Sequence, residues 1–341
     1  MRRDPSRLRR RMKTAFILIL AFVFAFAVTA CGQGPTGPAE SGGEKGQNQQ
    51  ATEEKNSGNA NGTGKVMTDA LGHQVTIPAN PQRILATYLE DHLLSLGVKP
   101  VAQWMVANGK QEYLQSEGLE GIPTISYNLP LEEVLSFNPD LIIIGSSTLV
   151  QNGMYEQYGK IAPTFVLGDD LVKDWRKTLT KIGELLGREE QAQKVLQEYD
   201  AKVEETKKKI APILKGKKVA TLWLVQKSFF IVDKSMACGS VLYGDLGLQP
   251  PELVLNLPKD DNASWKPVTL EKLAELDADY IFLVNSDGPG GKEVLDQPIW
   301  KNLPAVKENR VYELSSSSSW LYSGAIAGRQ VMDDLVRLLT K

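Results

Sequence analysis

Histidine and cysteine are nearly absent from this chain. Each occurs twice in 341 residues, as His73 and His92 and as Cys31 and Cys238. Two cysteines cannot build a disulfide framework, and four such side chains spread along the chain do not make a His/Cys metal cage. The charges almost cancel, leaving a net charge of −2, so the basic face that a nucleic-acid partner requires is missing. There is no Gly-x-Ser-x-Gly elbow, and neither histidine has an obvious serine or cysteine partner. Gly288-Pro-Gly-Gly-Lys292-Glu293 lacks the spacing of a phosphate loop and has glutamate where Ser or Thr is needed, so it reads as a polar turn. A hydrolase would need a nucleophile–base pair or paired carboxylates, and none stands out.

What is present begins with an address. The first thirteen residues hold six arginines and a lysine, and an apolar run follows over 14–30. A basic head, an apolar stretch and small residues before a cut describe a secretory signal peptide over 1–30. The run is at the short edge of the roughly 20 residues that span a bilayer. Met12 is an alternative start, because MKTAFILIL is a better-proportioned head. Val28-Thr29-Ala30-Cys31 resembles the lipobox of bacterial lipoproteins, which implies that the Cys31 sulfur carries a diacylglyceryl group. Two acyl chains suffice for stable anchoring. Residues 31–65 are Gly, Gln, Asn, Glu, Ser, Thr and Pro with almost no large apolar side chain. Such a segment cannot bury enough surface to order itself and reads as a tether. Cys238 then remains as a lone thiol, a small buried hydrophobe.

The body alternates short β-type runs with helical stretches. RILAT (83–87), LIII (141–144), KVATLW (218–223) and YIFLV (280–284) are the clearest strands, and the alternation predicts α/β layers. An internal repeat divides them. Leu131-Glu132-Glu133-Val134 leads to Asp140 and LIII; Leu270-Glu271-Lys272-Leu273 leads to Asp279 and YIFLV. In each unit a glutamate lies eight residues before the aspartate that opens a strand. Leu96-Gly97-Val98-Lys99-Pro100 and Leu246-Gly247-Leu248-Gln249-Pro250 repeat in the same order, each a helix ending on glycine before a strand. Two α/β lobes are therefore expected, over 66–188 and 215–341. Between them, 189–214 has no glycine and a sparse apolar stripe of Val195, Tyr199, Val203 and Ile210. It predicts a helix of about 24 residues, about 36 Å long, acting as a stiff strut.

At this point the residues match a family. TDALGHQVTIPANPQRILA (68–86), LEDHLLSLGVKPVA (89–102), LEEVLSFNPDLIIIGSS (131–147), YGKIAPTFVL (158–167), VTLEKLAELDADYIFLV (268–284) and WKNLPAVKENRVYEL (300–314) resemble the substrate-binding proteins of iron–siderophore and cobalamin ABC importers. The resemblance covers essentially all of 66–341. It implies two α/β lobes joined by one long rigid helix, with the ligand cleft between the lobes. It also implies a monomer without catalytic chemistry or cofactor, which hands its ligand to permease subunits and, through them, to an ATPase. By the same resemblance Glu132 and Glu271, one per lobe, meet arginines of the two permease subunits, with Glu133 and Glu275 as near alternatives. Rim charges of this kind set orientation and encounter rate.

The cleft is expected where loops leave the strands. Tyr88, Trp104 and Tyr127 in the first half and Trp223, Phe230, Trp265, Trp320 and Tyr322 in the second are the candidate ligand wall, with Ser146 and Arg329 as polar members. Ser147, Ser286 and Ser315–Ser319 are further hydroxyls, and Lys227 is the other candidate cation. Related receptors for ferric citrate or catecholates use arginine clusters, since guanidinium suits such oxygens. Here Arg83, Arg176, Arg188, Arg310 and Arg337 lie elsewhere. Some hydroxamate-binding relatives carry an arginine where this chain has Tyr127 or Val225. A wall rich in aromatics and poor in arginine favours a ferric hydroxamate. The alternatives are a cobalamin or haem receptor of the same fold, or a lipid-anchored hydrolase; direct zinc capture is disfavoured by the histidine count.

Overall fold

The computed structural model describes residues 64–105, 109–258 and 263–340, all within one compact unit, Asn59–Lys341. The signal peptide, Cys31 and all but the last two residues of the tether lie outside the described residues.

Twelve strands form among the described residues. Lys65–Thr68 (β1) and Gln74–Ile77 (β2) pair antiparallel. Ile84–Ala86 (β3) enters a buried parallel sheet, and Gln103–Met105 (β4) pairs in parallel with Thr124–Ser126 (β5). Leu141–Ile144 (β6) and Thr164–Val166 (β7) complete the parallel sheet in the order β3-β6-β7. The four residues of β6 are all buried, as expected of a parallel strand covered on both faces. The second half holds Val219–Val225 (β8), Ser228–Val232 (β9), Trp265–Val268 (β10), Tyr280–Asn285 (β11) and Val311–Ser315 (β12). They make one mixed sheet, ordered β10-β9-β8-β11-β12. The four strands read from sequence are β3, β6, β8 and β11.

The repeat seen in sequence is a repeat of hydrogen bonds. Asp140 accepts the backbone N–H of Gln82 (2.7 Å) and Arg83 (2.9 Å), just before β3. Asp279 accepts that of Lys218 (2.8 Å), just before β8. The two aspartates donate their own backbone N–H to Arg83 and Lys218 (2.9 and 2.8 Å). Each therefore clamps the mouth of the first strand of its half. Gly97 and Gly247 have φ of 72° and 69°, the left-handed turn that ends a helix and that glycine adopts without strain.

Between the halves runs one helix, Glu189–Leu214, of 26 residues. Tyr199, Val203 and Ile210 on its buried stripe belong to a core shared with β3, β6, β8 and β11. The C-terminal helix Ala325–Leu339 lies along it. Gly328 permits that approach, because a Cβ there would sit 2.4 Å from the Tyr199 hydroxyl. Two α/β lobes with a long connecting helix are thus the architecture.

Candidate functional site

Two aromatic patches form, one in each half. In the first, the chain leaves β3 through Tyr88, whose φ of 59° is unusual for a bulky residue. That conformation leaves its ring 42 % exposed. Trp104 of β4 meets it edge-on at 5.4 Å, and Tyr322 lies 6.2 Å away. Tyr322 comes from the far end of the chain and stacks on Tyr113 at 4.8 Å. The Trp104 indole donates to the carbonyl of Tyr127 (3.0 Å), and the Tyr127 ring is 56 % exposed. In the second patch, Trp223 of β8 lies 5.5 Å from Phe230 of β9 and 5.9 Å from Trp265 of β10. The Trp223 indole donates to the Ser286 hydroxyl (2.8 Å). Trp104, Phe230 and Trp265 stand on strands and not in loops as expected, and Trp223 ends the strand read over 218–223.

Beneath the first patch sit two buried acids that sequence reasoning missed. Glu90 and Asp91, in the short helix Glu90–Ser95, are 1 % and 2 % exposed. Glu90 accepts the backbone N–H of Trp104 (2.6 Å) and the Gln111 amide (2.8 Å). Burial drives its pKa up to about 7 against the hydrogen bonds it accepts. Asp91 accepts two backbone N–H groups of the C-terminal helix and the Tyr113 hydroxyl (3.0 Å); burial raises its pKa against those bonds. In sequence the two acids read as ordinary first-turn charges of a short helix, so nothing local pointed to their burial.

Several expected residues stand elsewhere. Trp320 is 0 % exposed, stacks on Phe282 at 4.8 Å and donates to Asp334 (3.0 Å). It is a core residue and does not line the ligand wall. The Ser146 hydroxyl donates to Asp169 (2.6 Å) and accepts the backbone N–H of Thr148, and Ser147 also donates to Asp169. Both serines thus shape a turn, and both lower the Asp169 pKa. Lys227 sits in the β8–β9 turn, ion-paired with Glu293 at 2.5 Å, so it is not a cleft cation. The turn has φ of 50° and 58° at Gln226 and Lys227, and Asp287 accepts both of their backbone N–H groups at 2.7 Å. Ser315 and Ser317 bond to each other (2.9 Å) and Ser319 is buried. Arg329 stands exposed on the C-terminal helix within electrostatic reach of Asp91.

The other arginines are engaged. Arg83 donates to the carbonyls of Phe137 and Asn138. Arg188 donates to the carbonyl of Leu96, while Arg310 and Arg337 pair with Glu308 and Asp334. Arg176 does reach the junction of the halves. It helps line a cavity of about 480 Å³ with Tyr243, Asp245 and Ser323, but Asp200 (2.9 Å) and Asp245 (3.2 Å) already neutralise it.

Glu132 and Glu271 occupy the same position in two short helices, Leu131–Ser136 and Leu270–Leu273. Both are exposed. Glu133 instead accepts the Ser126 backbone N–H and hydroxyl, each at 2.9 Å, and Glu275 pairs with Lys272 at 2.9 Å. Neither alternative is free. Cys238 is buried, with its thiol pushed up to about 12 by desolvation, an inert side chain. His92 is buried, and desolvation lowers its pKa to about 4 against the opposing pull of the Trp175 backbone. His73 stacks on Tyr155 beside Asp69. Neither histidine joins the aromatic patches. Among the described residues no cluster of His, Cys, Asp and Glu could hold a metal ion, and no helix is long and apolar enough to cross a membrane.

Comparison with known proteins converges. The periplasmic binding protein family matches residues 90–317. The iron(3+)-hydroxamate-binding protein YxeB of Bacillus subtilis is 30 % identical over 280 residues, covering 78 % of this chain and 83 % of that protein. FhuD of the same organism, also an iron(3+)-hydroxamate-binding protein, is 31 % identical over 248 residues, covering 70 % and 76 %. Among solved structures, a FhuD-fold component of a ferrichrome ABC transporter from Bacillus subtilis superposes with a TM-score of 0.69 at 27 % identity, covering 81 % of this chain and 100 % of that one. Staphylococcus aureus SirA bound to staphyloferrin B gives 0.67 at 28 % identity, covering 81 % and 98 %. A chain with this fold and these relatives binds and does not catalyse: it belongs to the periplasmic binding protein family, among the substrate-binding proteins of siderophore ABC transporters.

Proposed function

We propose that this protein captures a ferric hydroxamate between its two aromatic patches and delivers it to a membrane permease. The observation that carries the ligand class is the want, among the described residues, of a free arginine cluster beside the aromatic rings. Three hydroxamate anions neutralise one ferric ion, whereas three catecholates leave a trianion that calls for guanidinium partners. Tyr88, Trp104, Tyr127, Trp223, Phe230, Trp265 and Tyr322 then supply apolar faces, and Ser286 and Arg329 supply polar edges. The two hydroxamate-binding relatives support the same class. A haem receptor would need an axial histidine, and both histidines lie apart from the rings, His92 buried and His73 stacked on Tyr155.

The same reading extends to the membrane. Glu132 and Glu271, alike in position and exposed, are the docking charges, one per lobe (66–188 and 215–341). The lipobox-like Cys31 is the anchor and 31–65 the tether, placing a monomer on the outer face of the cytoplasmic membrane. Tryptophan-fluorescence titration with ferrioxamine B, ferric citrate, ferric enterobactin, haem and cobalamin tests the ligand class. Saturable sub-micromolar quenching by the hydroxamate, with the others at least tenfold weaker, is expected. Tighter binding of citrate or enterobactin, or no response to any chelate, overturns it.

A further inference from the structure

The C-terminal helix begins without a cap of its own. Its N-cap residue is Gly324, which has no side chain, so the first N–H groups of the helix would be orphans. They are satisfied from the other half of the molecule. Asp91, on the helix that follows β3, accepts Ile326 N–H through Oδ1 (3.1 Å) and Ala327 N–H through Oδ2 (2.9 Å). The sequence separation is 235 and 236 residues. Gly324 makes this approach possible: at its φ of 149° a Cβ would lie 2.2 Å from the Asp91 carboxyl carbon.

The same carboxylate also orders the ligand patch. Tyr113 donates its hydroxyl to Asp91 Oδ2 and stacks on Tyr322, two residues before Gly324. Tyr322 in turn lies beside Tyr88. Ile326 and Ala327 also pack on Tyr113, Leu114 and Leu119. Apolar packing is non-directional and leaves the helix free to rotate or slide, whereas two N–H bonds to one carboxylate fix both.

We propose that Asp91 is a positioning residue, a cross-lobe clasp that fixes the start of the C-terminal helix and holds Tyr113 and Tyr322 in register with Tyr88. Its effect on affinity rests on the ligand reading above. The clasp itself does not, and two readouts need no ligand: amide hydrogen exchange at Ile326 and Ala327, and the near-ultraviolet circular dichroism of the stacked rings. In Asp91→Asn, which keeps one of the two acceptor oxygens, at least one of the amides should exchange at least tenfold faster and the ring signal should shrink. Ferrioxamine B should bind at least tenfold more weakly. Gly324→Ala, which drives a Cβ into the same carboxylate, should reproduce all three changes. Leu185→Ala, a core control in the helix Trp175–Leu185, should lower the melting temperature and keep wild-type affinity. Unchanged exchange at Ile326 and Ala327 overturns the clasp. An affinity loss no larger than that of the Leu185→Ala control reduces Asp91 to a structural residue and overturns the positioning role. If the wild type binds no ferric chelate, the ligand reading fails, while exchange and dichroism still decide the clasp.

Discussion

The two aromatic patches, one in each half, are supported by different means. Under Tyr88 and Trp104 lie two buried carboxylates, Glu90 accepting one backbone N–H and Asp91 two. Under Trp223 and Trp265 lies a hairpin sheet, with one hydroxyl, Ser286, as the polar support. The first patch therefore rests on desolvated acids whose burial raises their pKa, and the second does not. The difference teaches that a repeated fold fixes where a wall stands but not how it is held. Trp104 stands on a strand of a two-stranded sheet, where side-chain acceptors supply directional bonds that the ladder of a five-stranded sheet supplies to the second patch.

The largest expected effect tests where the lobes are alike. Glu132→Ala with Glu271→Ala should leave chelate affinity intact and abolish uptake into cells, with each single variant retaining part of the activity. Loss of affinity would show that these glutamates serve the cleft instead. Uptake lost through one glutamate alone would break the symmetry of docking.

The next effect tests where they differ. Glu90 has a folded pKa of about 7 against an ordinary 4.5, so the folded state holds its proton more tightly than the unfolded one. Its contribution to stability is present at the acid end and is lost as pH rises from about 4.5 through about 7. His92 acts in the opposite sense: with its pKa lowered to about 4, its neutral form is favoured, and stability falls as pH drops below about 6.5. The two trends partly cancel in the wild type. Glu90→Gln separates them. Its stability relative to wild type should increase with pH across that window, by at most about 3 kcal/mol, in urea melts at pH 5 and pH 8. A constant difference would mean that Glu90 stays ionised in the fold. No matching pH-dependent pair is expected from Trp223→Phe or Ser286→Ala.

A smaller difference separates the two aspartates of the repeat. Asp140 accepts two backbone N–H groups, and Asp279 accepts one plus a long contact at 3.4 Å from Lys217. Asp140→Ala should cost about 2 kcal/mol and Asp279→Ala about 1 kcal/mol, read as shifts in urea midpoint. The reverse order would place the weaker clamp in the first half.

Much of this was legible in the sequence for a physical reason. Leu141–Ile144 and Tyr280–Asn285 are continuous buried runs, the long helix spans 189–214 as read, and the repeated Leu-Gly and Glu–Asp spacings recur because each half builds the same helix end and the same clamp on its first strand. Trp320 was misread because its polar neighbours Ser315–Ser319 suggested a loop, whereas its ring turns inward onto Phe282. Glu90 and Asp91 were not legible as site residues. Their partners are 14 to 236 residues away, and local pattern carries no information about such contacts. Glu133 shows the same limit in miniature: it resembles Glu132 in sequence, yet its carboxylate folds back on Ser126.

The smallest effect lies within the second patch. Both tryptophans there carry an indole N–H, but only that of Trp223 has a partner. That of Trp265 is buried with none. Leaving a donor unsatisfied costs about 1–3 kcal/mol, and a satisfied one contributes about 1 kcal/mol. Replacing either indole by a phenyl ring loses similar apolar area, so the difference between the variants isolates the polar part. Trp223→Phe should therefore destabilise more than Trp265→Phe, by about 1–2 kcal/mol in urea melts. Ser286→Ala should erase that gap, because it leaves Trp223 as unsatisfied as Trp265. A gap that persists with Ser286→Ala would assign the difference to ring packing, and the second patch would then be held by shape alone.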